Sequence, residues 1–477
     1  MKSKTFLKLA SLLLVLALFV GSFAGCKKDD EDTGSFSMGG FNVVNDNDDA
    51  GDDGETTNAN TTESSSKKNN TKKKNSAQIA NGGDISNMSS TQLLKNIPEK
   101  LKGTTLTFMY WEDLKNTDYG NVIAEFEKRS GITVKTKVIT KNDYYTELAG
   151  AIAAGNSPDM VKCIYNQSHV VKNLQPIDCT GFNFNADGWD TEIMKDFTFN
   201  GKTYAMQTKN SPQYDACVVY YNKKALRKAD MEDPYTIWKN NPSSWTWDKL
   251  WSMCETFLNK NGNKEGYYGI GFGIEEAYVR CFNGGFYGFD NNSGKFVSYM
   301  KTPETLNRYT TLMDKISKRY SNSTWDKNSF VMGNTLFACT FSSALEKNNA
   351  YWSQLGDNVG CVPIPTDSTS VPGFEYNTYG VPIGAKNAAA VPYFVRFVFD
   401  PEIYDMNDFY KSEQAKEIID YTKNKAKLCY NYGWSWEIWN AMVKGGSAQV
   451  KTVLDTYAPK IDDTVAVANG ELASLKK

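Results

Sequence analysis

The feature that most constrains the fold is an alternation of strand and helix patterns in the second hundred residues. TLTFMYW has the continuous apolar character of a buried strand, and ITVKTKVIT alternates as a half-buried strand does. Two amphipathic helix patterns, DYGNVIAEFEKRSG and NDYYTELAGAIAAG, each end at a glycine, and NSPDMVKCIY then predicts a turn and a third strand. This order predicts an α/β fold with a mostly parallel sheet wrapped by helices, whose ligands lie at the carboxyl ends of the strands.

Later segments continue the theme. KTYAMQ and CVVYYN are strand-like, whereas SWTWDKLWSMCETFLNK and ETLNRYTTLMDKISKRY have helical patterns. A chain of 477 residues, 40% of them hydrophobic, can bury at least two cores of ordinary domain size.

The first 25 residues have the pattern of an export signal. Lysines precede the apolar run LASLLLVLALFV, which is shorter than the roughly 20 residues that a transmembrane helix needs. With Ala24, Gly25 and Cys26 after it, the segment resembles a bacterial lipoprotein signal. That resemblance implies that residues 1–25 are removed and that lipid on Cys26 anchors the protein to the extracellular face of the membrane. The alternative is cleavage near a cysteine that later forms a disulfide.

Residues 26–102 are dominated by Asp, Asn, Gly, Ser, Thr and Lys. Such a segment buries too little apolar surface to offset its ordering entropy, so we predict a disordered tether. Its basic stretch KKNNTKKK suggests contact with anionic cell wall or lipid, but a solvated linker is the favoured interpretation.

Composition argues against several functions. The 53 basic and 55 acidic residues give a net charge of −2, which offers no overall attraction to nucleic acid. The single histidine, His169, counts against a Ser-His-Asp triad and a multi-histidine metal site, and we expect it on a helix surface. No GxxxxGK[ST] motif occurs. GIGFG does not complete the GxGxxG pattern of a dinucleotide loop, because the position that requires the third glycine is Ile274. We therefore predict no metal and no cofactor, and we assign no catalytic residues. The eight cysteines besides Cys26 are widely spaced without a CxxC pair, and we assign them no disulfides.

Beyond these patterns, the order of short motifs from Thr104 to the C-terminus resembles the sugar-type (family 1) extracellular solute-binding proteins of ABC importers. The motifs that carry the resemblance are the strand ending in Tyr110 and Trp111, AEFEKRSGITV, AIAAGNSPDMV, LQPID, GKTYAMQ, VVYYNKKAL, WTWDKLW, SFVMGNTLFACTF and VGCVPIPTD.

The resemblance implies a two-lobed periplasmic-binding-protein-like fold with a hinge and an interlobe cleft. Crossings are expected near 214–221 and 373–384. Lobe one would comprise 103–217 and 380–412, and lobe two 218–379 and 413–477. A protein of this family captures a solute, here an oligosaccharide, and delivers it unchanged to an ABC permease; we expect a monomer.

A sugar site needs aromatic plates and planar hydrogen-bonding groups. The strand ends, and the segments that contact ligand in the family, supply candidates for both. The predicted ligand-binding residues are Trp111, Glu112, Tyr165, Asn166, Asp215, Phe341, Tyr376, Trp434 and Trp436.

Each candidate also has a structural interpretation. Asp215 could instead be a hinge carboxylate, and Trp439 is expected in the core. Trp434 and Trp436 cannot share one helical face, so at least one should point outward. The family often has a tryptophan shortly after the TLFACTF strand, where this chain has SSALE, so Phe341 is the nearest aromatic.

Two rival functions remain open. A secreted glycoside hydrolase would need a carboxylate pair, for which Glu112, Glu275, Glu276 and Glu375 are candidates. A binder of another solute, such as a polyamine or a peptide, is the second alternative, although a polyamine site would require several converging carboxylates.

Overall fold

A computed structural model of the chain describes residues 89–474, apart from 117–118, 141–142, 165–166, 185–187, 210–213, 283–284, 291, 325, 347–348, 399–409, 426–427 and 430–434. Cys26 and the predicted signal segment lie outside the described residues.

The described residues form fifteen α-helices and fifteen strands. The helices are α1 (Ser90–Lys95), α2 (Tyr119–Ser130), α3 (Tyr144–Ala153), α4 (Gln167–Asn173), α5 (Thr191–Lys195), α6 (Lys223–Lys228), α7 (Pro234–Asn240), α8 (Trp247–Lys260), α9 (Ile274–Tyr278), α10 (Pro303–Ser317), α11 (Lys327–Met332), α12 (Val391–Val398), α13 (Glu413–Lys425), α14 (Trp436–Gly445) and α15 (Val450–Ser474). The strands are β1 (Thr105–Tyr110), β2 (Thr133–Val138), β3 (Met160–Ile164), β4 (Leu174–Gln175), β5 (Thr198–Phe199), β6 (Lys202–Thr203), β7 (Ala205–Met206), β8 (Tyr214–Asn222), β9 (Tyr268–Ile270), β10 (Tyr287–Asp290), β11 (Lys295–Ser298), β12 (Thr335–Phe341), β13 (Val359–Pro363), β14 (Val371–Pro382) and β15 (Leu428–Cys429).

The opening alternation is confirmed. β1 lies between β2 and β3 and is parallel to both, with α2 and α3 as the intervening helices. Asp159 of the PDMV motif ties these elements together: its carboxylate accepts hydrogen bonds from the backbone N–H of Thr107 at 2.9 Å and of Asn387 at 2.7 Å. The motif is therefore a structural link between β1 and the chain that follows β14.

The sheet as a whole is not mostly parallel. Its main path runs β2-β1-β3-β14-β8-β12-β9. β14 is antiparallel to both β3 and β8, and β8 is antiparallel to β12 and β13. The prediction of parallel strands holds only for β1, β2 and β3, which helical crossovers join. β14 comes from a distant part of the chain and runs in the opposite direction to β3.

Residues 89–102 are folded, so the predicted tether does not extend to residue 102. Ser89 caps α1, and a 3-10 turn at Glu99–Leu101 leads into β1. The side chains of Leu93, Leu94 and Ile97 are buried in a core with β1 and α2. Leu101 is buried as well. The sequence-based prediction missed these four apolar residues because polar residues dominate the composition around them.

Alternate residues of β1 and β3 face two different cores. Phe108 and Met160 belong to a smaller core shared with α1, α2 and α12, whereas Met109 and Val161 belong to a larger core that extends to Leu472. The sheet is thus covered on both faces. The larger core is continuous across the predicted lobe boundaries, which therefore stay predictions.

No helix within the described ranges is both long enough and apolar enough to cross a membrane. Seven cysteines of the described part carry free thiols, six of them buried. Burial raises the pKa of the Cys163 thiol to about 12. The thiol therefore stays protonated at neutral pH and is a poor nucleophile.

Candidate functional site

Trp111 follows the carboxyl end of β1 and is held by aromatic neighbours. Its ring stacks on Tyr110, with centroids 3.8 Å apart and planes 26° apart. Tyr144 meets it edge-on with centroids 6.2 Å apart. Trp111 is partly buried and packs against both cores, so the end of β1 is a fixed element rather than a loose loop.

A buried lysine completes this arrangement. Lys162 of β3 is only 5% exposed, and its Nζ lies over the Trp111 ring, 5.4 Å from the centroid. The Lys162 backbone N–H donates to the Tyr144 hydroxyl, which in turn donates to the carbonyl oxygen of Met109, each at 3.0 Å. We call Tyr110, Trp111, Tyr144 and Lys162 the Trp111 cluster.

Three strands place other predicted residues beside this cluster. Ile164 at the end of β3 is opposite Glu375 of β14, and Glu375 is opposite Asp215 of β8. Tyr376 is opposite Tyr214. The backbones at Asp215 and Tyr376 are therefore neighbours at the end of β3. The side chains of Asp215 and Tyr376 lie outside the described part, as do Tyr165 and Asn166, so their ligand roles stay predictions.

Trp436 borders a small pocket of about 50 Å³. Its lining includes Phe272, Glu276, Asn322, Thr324, Trp436 and Trp439. We call this the Trp436 pocket. It combines two indoles with a carboxylate, an amide and a hydroxyl, the groups that a sugar ring and its hydroxyls require. Glu112 and Phe341 do not line it, and Trp434 lies outside the described residues.

The two tryptophans of α14 take different environments. Ser435 caps the helix through a 3.4 Å hydrogen bond from the N–H of Ile438 to its Oγ, so Trp436 begins the first turn and is 62% exposed. Trp439 is 5% exposed, and its indole N–H donates to the carbonyl oxygen of Ser323 at 3.3 Å. The expectation that Trp439 is core is confirmed, and Trp436 points outward.

Glu275 also lines the pocket, and its carboxylate belongs to a buried polar network. Tyr309 donates its hydroxyl to one carboxylate oxygen at 2.7 Å, and Arg280 pairs with the other at 3.1 Å. Burial nevertheless raises the pKa of Glu275 to about 7, an effect that Arg280 and the Tyr309 hydrogen bond partly offset. The carboxyl group therefore titrates near neutral pH while it faces protein groups.

Gly273 allows the chain to enter α9 beside β12. Its φ is +71°, and a Cβ there would lie 1.6 Å from the carbonyl oxygen of Cys339. Only glycine fits both the backbone angle and the close approach. This contact sets the position of Glu275 and Glu276.

Phe341, the last residue of β12, meets Tyr351 edge-on with centroids 4.8 Å apart. Its carbonyl oxygen accepts a 2.9 Å hydrogen bond from the Tyr220 hydroxyl. Phe341 is partly buried against the larger core, and its ligand contact stays a prediction.

A larger groove of about 430 Å³ lies between α7 and α13 and includes Trp238, Glu417 and Tyr421 in its lining. Glu417 there accepts hydrogen bonds from Tyr235 and Lys239. Among the predicted site residues whose side chains the structure describes, none borders this groove. We propose the Trp111 cluster and the Trp436 pocket as the candidate site, although the Trp436 pocket is smaller than this groove.

Sequence reasoning missed Lys162, Asn322 and Thr324. A lysine inside a strand predicted to be buried was a usable signal, because such a charge needs a specific partner. Asn322 carried no signal: its N–H donates to the carbonyl oxygen of Ile270 at 2.8 Å, a contact that only the tertiary fold creates.

Several solved structures with a similar fold are described as binding proteins that hold a sugar. An extracellular solute-binding protein of Staphylococcus aureus, solved with maltose, is 16% identical over 76% of this chain and 98% of its own, with a TM-score of 0.55. The galacto-N-biose-/lacto-N-biose I-binding protein of a Bifidobacterium longum ABC transporter, solved with lacto-N-biose, is 14% identical over 76% of this chain and 97% of its own, with a TM-score of 0.56. An ABC substrate-binding protein of Listeria monocytogenes, in complex with cycloalternan, is 16% identical over 78% of this chain and 99% of its own, with a TM-score of 0.51.

These similarities confirm the predicted solute-binding-protein fold. No curated protein matches the chain in sequence. The model of the bacterial extracellular solute-binding proteins matches residues 121–415, well over half of the chain. The chain belongs to the bacterial extracellular solute-binding protein family.

Proposed function

We propose that this protein captures an oligosaccharide in its cleft and delivers it, unchanged, to the permease of an ABC importer. The observation that carries the proposal is the Trp436 pocket, where an exposed indole lies beside Glu276, Asn322 and Thr324. The sugars held by the three similar structures, maltose, lacto-N-biose and cycloalternan, support the same ligand class.

The chemistry of the pocket suits a pyranose ring. One face of such a ring carries C–H groups that pack on an indole, while its hydroxyls donate to carboxylate and amide oxygens. Trp436 supplies the ring and Glu276 the charged acceptor. Across the cleft, the Trp111 cluster and the predicted contacts Glu112, Tyr165, Asn166, Asp215, Phe341 and Tyr376 would meet the solute from other sides, and Trp434 would flank Trp436.

Capture follows from differential contacts in two conformations. A solute that bridges both walls stabilises the closed form over the open form by the contacts that only closure creates. Bending would occur where β8 and β14 pair, at the predicted hinge crossings. The permease would then recognise and bind the closed form.

We also propose that Cys26 carries the lipid that holds the protein at the extracellular face of the membrane, with the residues before 89 as a tether. The proposal rests on the apolar run before FAGC. Cys26→Ser should abolish incorporation of labelled fatty acid and release the protein, with solute affinity unchanged. Equal membrane retention of the variant, without labelling of the wild type, would contradict the anchor.

A glycosidase is the rival that one observation favours. Glu275 has a raised pKa, and Glu276 beside it lines a pocket, a pairing that resembles an acid and its partner carboxylate. Against it, Glu275 is 3% exposed and both of its oxygens contact Arg280 or Tyr309. A general acid must reach the glycosidic oxygen, and this carboxyl faces inward.

One experiment separates these functions. The purified protein is titrated calorimetrically with maltose, lacto-N-biose, cycloalternan, spermidine and a short peptide, and each sugar is then recovered and analysed. We expect stoichiometric binding of at least one sugar, which is returned intact. Release of reducing ends that is lost in Glu276→Gln would establish the hydrolase, and binding of spermidine or peptide alone would establish another solute class.

A further inference from the structure

The Trp111 ring has neighbours on both faces. Tyr110 fills one face, with ring centroids 3.8 Å apart. Because that face is occupied, the Lys162 ammonium, 5.4 Å from the same centroid, lies over the other. A sugar could stack face-on with Trp111 only if Lys162 first left the ring.

Lys162 is held in place by its strand. β3 lies between β1 and β14, and Tyr379 of β14 is directly opposite Lys162. The Lys162 backbone N–H donates to the Tyr144 hydroxyl at 3.0 Å, and Tyr144 is also the edge-on neighbour of Trp111. Backbone and side chain of Lys162 thus contact the same small group of rings.

The chemistry favours a durable contact. An ammonium ion is attracted to the negative face of an indole, and the attraction grows when water is excluded, as it is around a side chain that is 5% exposed. A buried ammonium is costly unless protein groups stabilise it, so movement of Lys162 away from its partners is disfavoured.

We propose that Lys162 is a positioning residue for solute binding: its ammonium covers the second face of Trp111 and fixes the orientation in which the indole meets the solute. This inference rests on the proposed function. It assigns the face-on stacking surface for the sugar to Trp436, and it gives Trp111 a role as a fixed wall of the cleft.

The test uses the full chain labelled with 5-fluorotryptophan and observed by fluorine NMR without solute. Trp111→Phe identifies the Trp111 signal among the eleven tryptophans. Lys162→Met, which keeps the aliphatic stem and removes the charge, should move that signal more than any other. Lys162→Arg should restore it, since a guanidinium also lies well on an indole face. A signal that stays in place in Lys162→Met would overturn the inference.

A second measurement needs no Lys162 variant. In the wild type, Overhauser transfer from the Lys162 side-chain protons to the Trp111 fluorine should be observed, and its absence would contradict the contact even if Lys162→Met failed to fold.

Affinity gives the functional arm. With the sugar that binds best among maltose, lacto-N-biose and cycloalternan, Lys162→Met should bind about three- to tenfold more weakly and Lys162→Arg close to the wild type. Unchanged affinity in Lys162→Met would refute the positioning role. If the wild type binds none of the sugars, the proposed function fails, while the fluorine signals still decide whether Lys162 positions Trp111.

Discussion

The two tryptophans that we propose for the site differ in how the fold holds them. Trp111 is partly buried, packs against both cores and has Tyr110 and Lys162 over its faces. Trp436 is 62% exposed at the first turn of a short helix. Trp111 is therefore held in place in the free protein, whereas Trp436 presents an indole ring that a ligand can cover.

The contrast follows from the elements that carry the two residues. A residue at the end of a central parallel strand is surrounded by neighbouring strands and their helices, so its side chain packs. A residue at the first position of a capped helix faces outward unless another element covers it. Burial of a sugar against Trp436 therefore gains apolar area that the free protein leaves in water.

The largest effect should separate Trp436 from its helix neighbour Trp439. Trp439→Ala should cost about 3–5 kcal/mol in the free energy of unfolding, because it empties a site in the larger core. Trp436→Ala should change stability by about 0.5 kcal/mol or less, because the ring is exposed. Urea denaturation of both variants measures this difference. Equal losses would mean that Trp436 is packed, and the comparison between the two walls would fail.

The next effect concerns the backbone that shapes the Trp436 pocket. Gly273→Ala should cost about 3 kcal/mol, the sum of roughly 1–2 for a left-handed residue and roughly 1–3 for overpacking against Cys339. Gly294→Ala is the matched control: its φ is +63° and no atom lies within 4 Å of the added Cβ, so only about 1–2 kcal/mol should be lost. If the two variants unfold at the same urea concentration, the close approach at Gly273 is not rigid.

A smaller and pH-dependent effect should come from Glu275. Its pKa is about 7 in the folded protein and near 4.5 when exposed, so the folded state binds the proton more tightly. The stability that comes from this group is fully present below pH 4.5 and is lost as pH rises through 7, by about 3 kcal/mol. Glu275→Gln cannot titrate and should lack this part of the slope, whatever its stability at a single pH.

Urea midpoints of wild type and Glu275→Gln, measured from pH 4.5 to 8, give the two slopes. If the midpoints of the two proteins change with pH in parallel, Arg280 and Tyr309 fully offset the effect of burial on the pKa of Glu275, and the carboxyl group stays ionised in the folded protein.

Elements dominated by periodicity could be predicted from the sequence. β1, α2, β2, α3 and β3 follow local patterns, and the strand-like CVVYYN lies within β8. The direction of β14 could not be predicted, because an apolar strand pairs equally well either way until its distant neighbours are known. Leu93 and Leu94 were assigned to the tether because that prediction used the average composition of residues 26–102, in which apolar residues are few.

The site was predictable only in part. The sequence predicted that at least one of Trp434 and Trp436 points outward, and the 62% exposure of Trp436 agrees with that prediction, but the spacing alone did not say which one. The contact between Lys162 and Trp111 depends on the parallel register of β1 and β3, which pairs Met109 with Val161. No local pattern encodes that register, so the partner of a buried lysine had to come from the structure.

The most direct test of the account is small-angle scattering of the wild type and Trp436→Ala during titration with the sugar that binds best. We expect the wild type to become more compact as sugar is added. Trp436→Ala should reach the same compact state only at about tenfold higher sugar concentration, the loss expected for one stacking ring. A wild type that saturates calorimetrically with no change in radius of gyration, or a variant that closes at the wild-type concentration, would contradict capture by closure on Trp436.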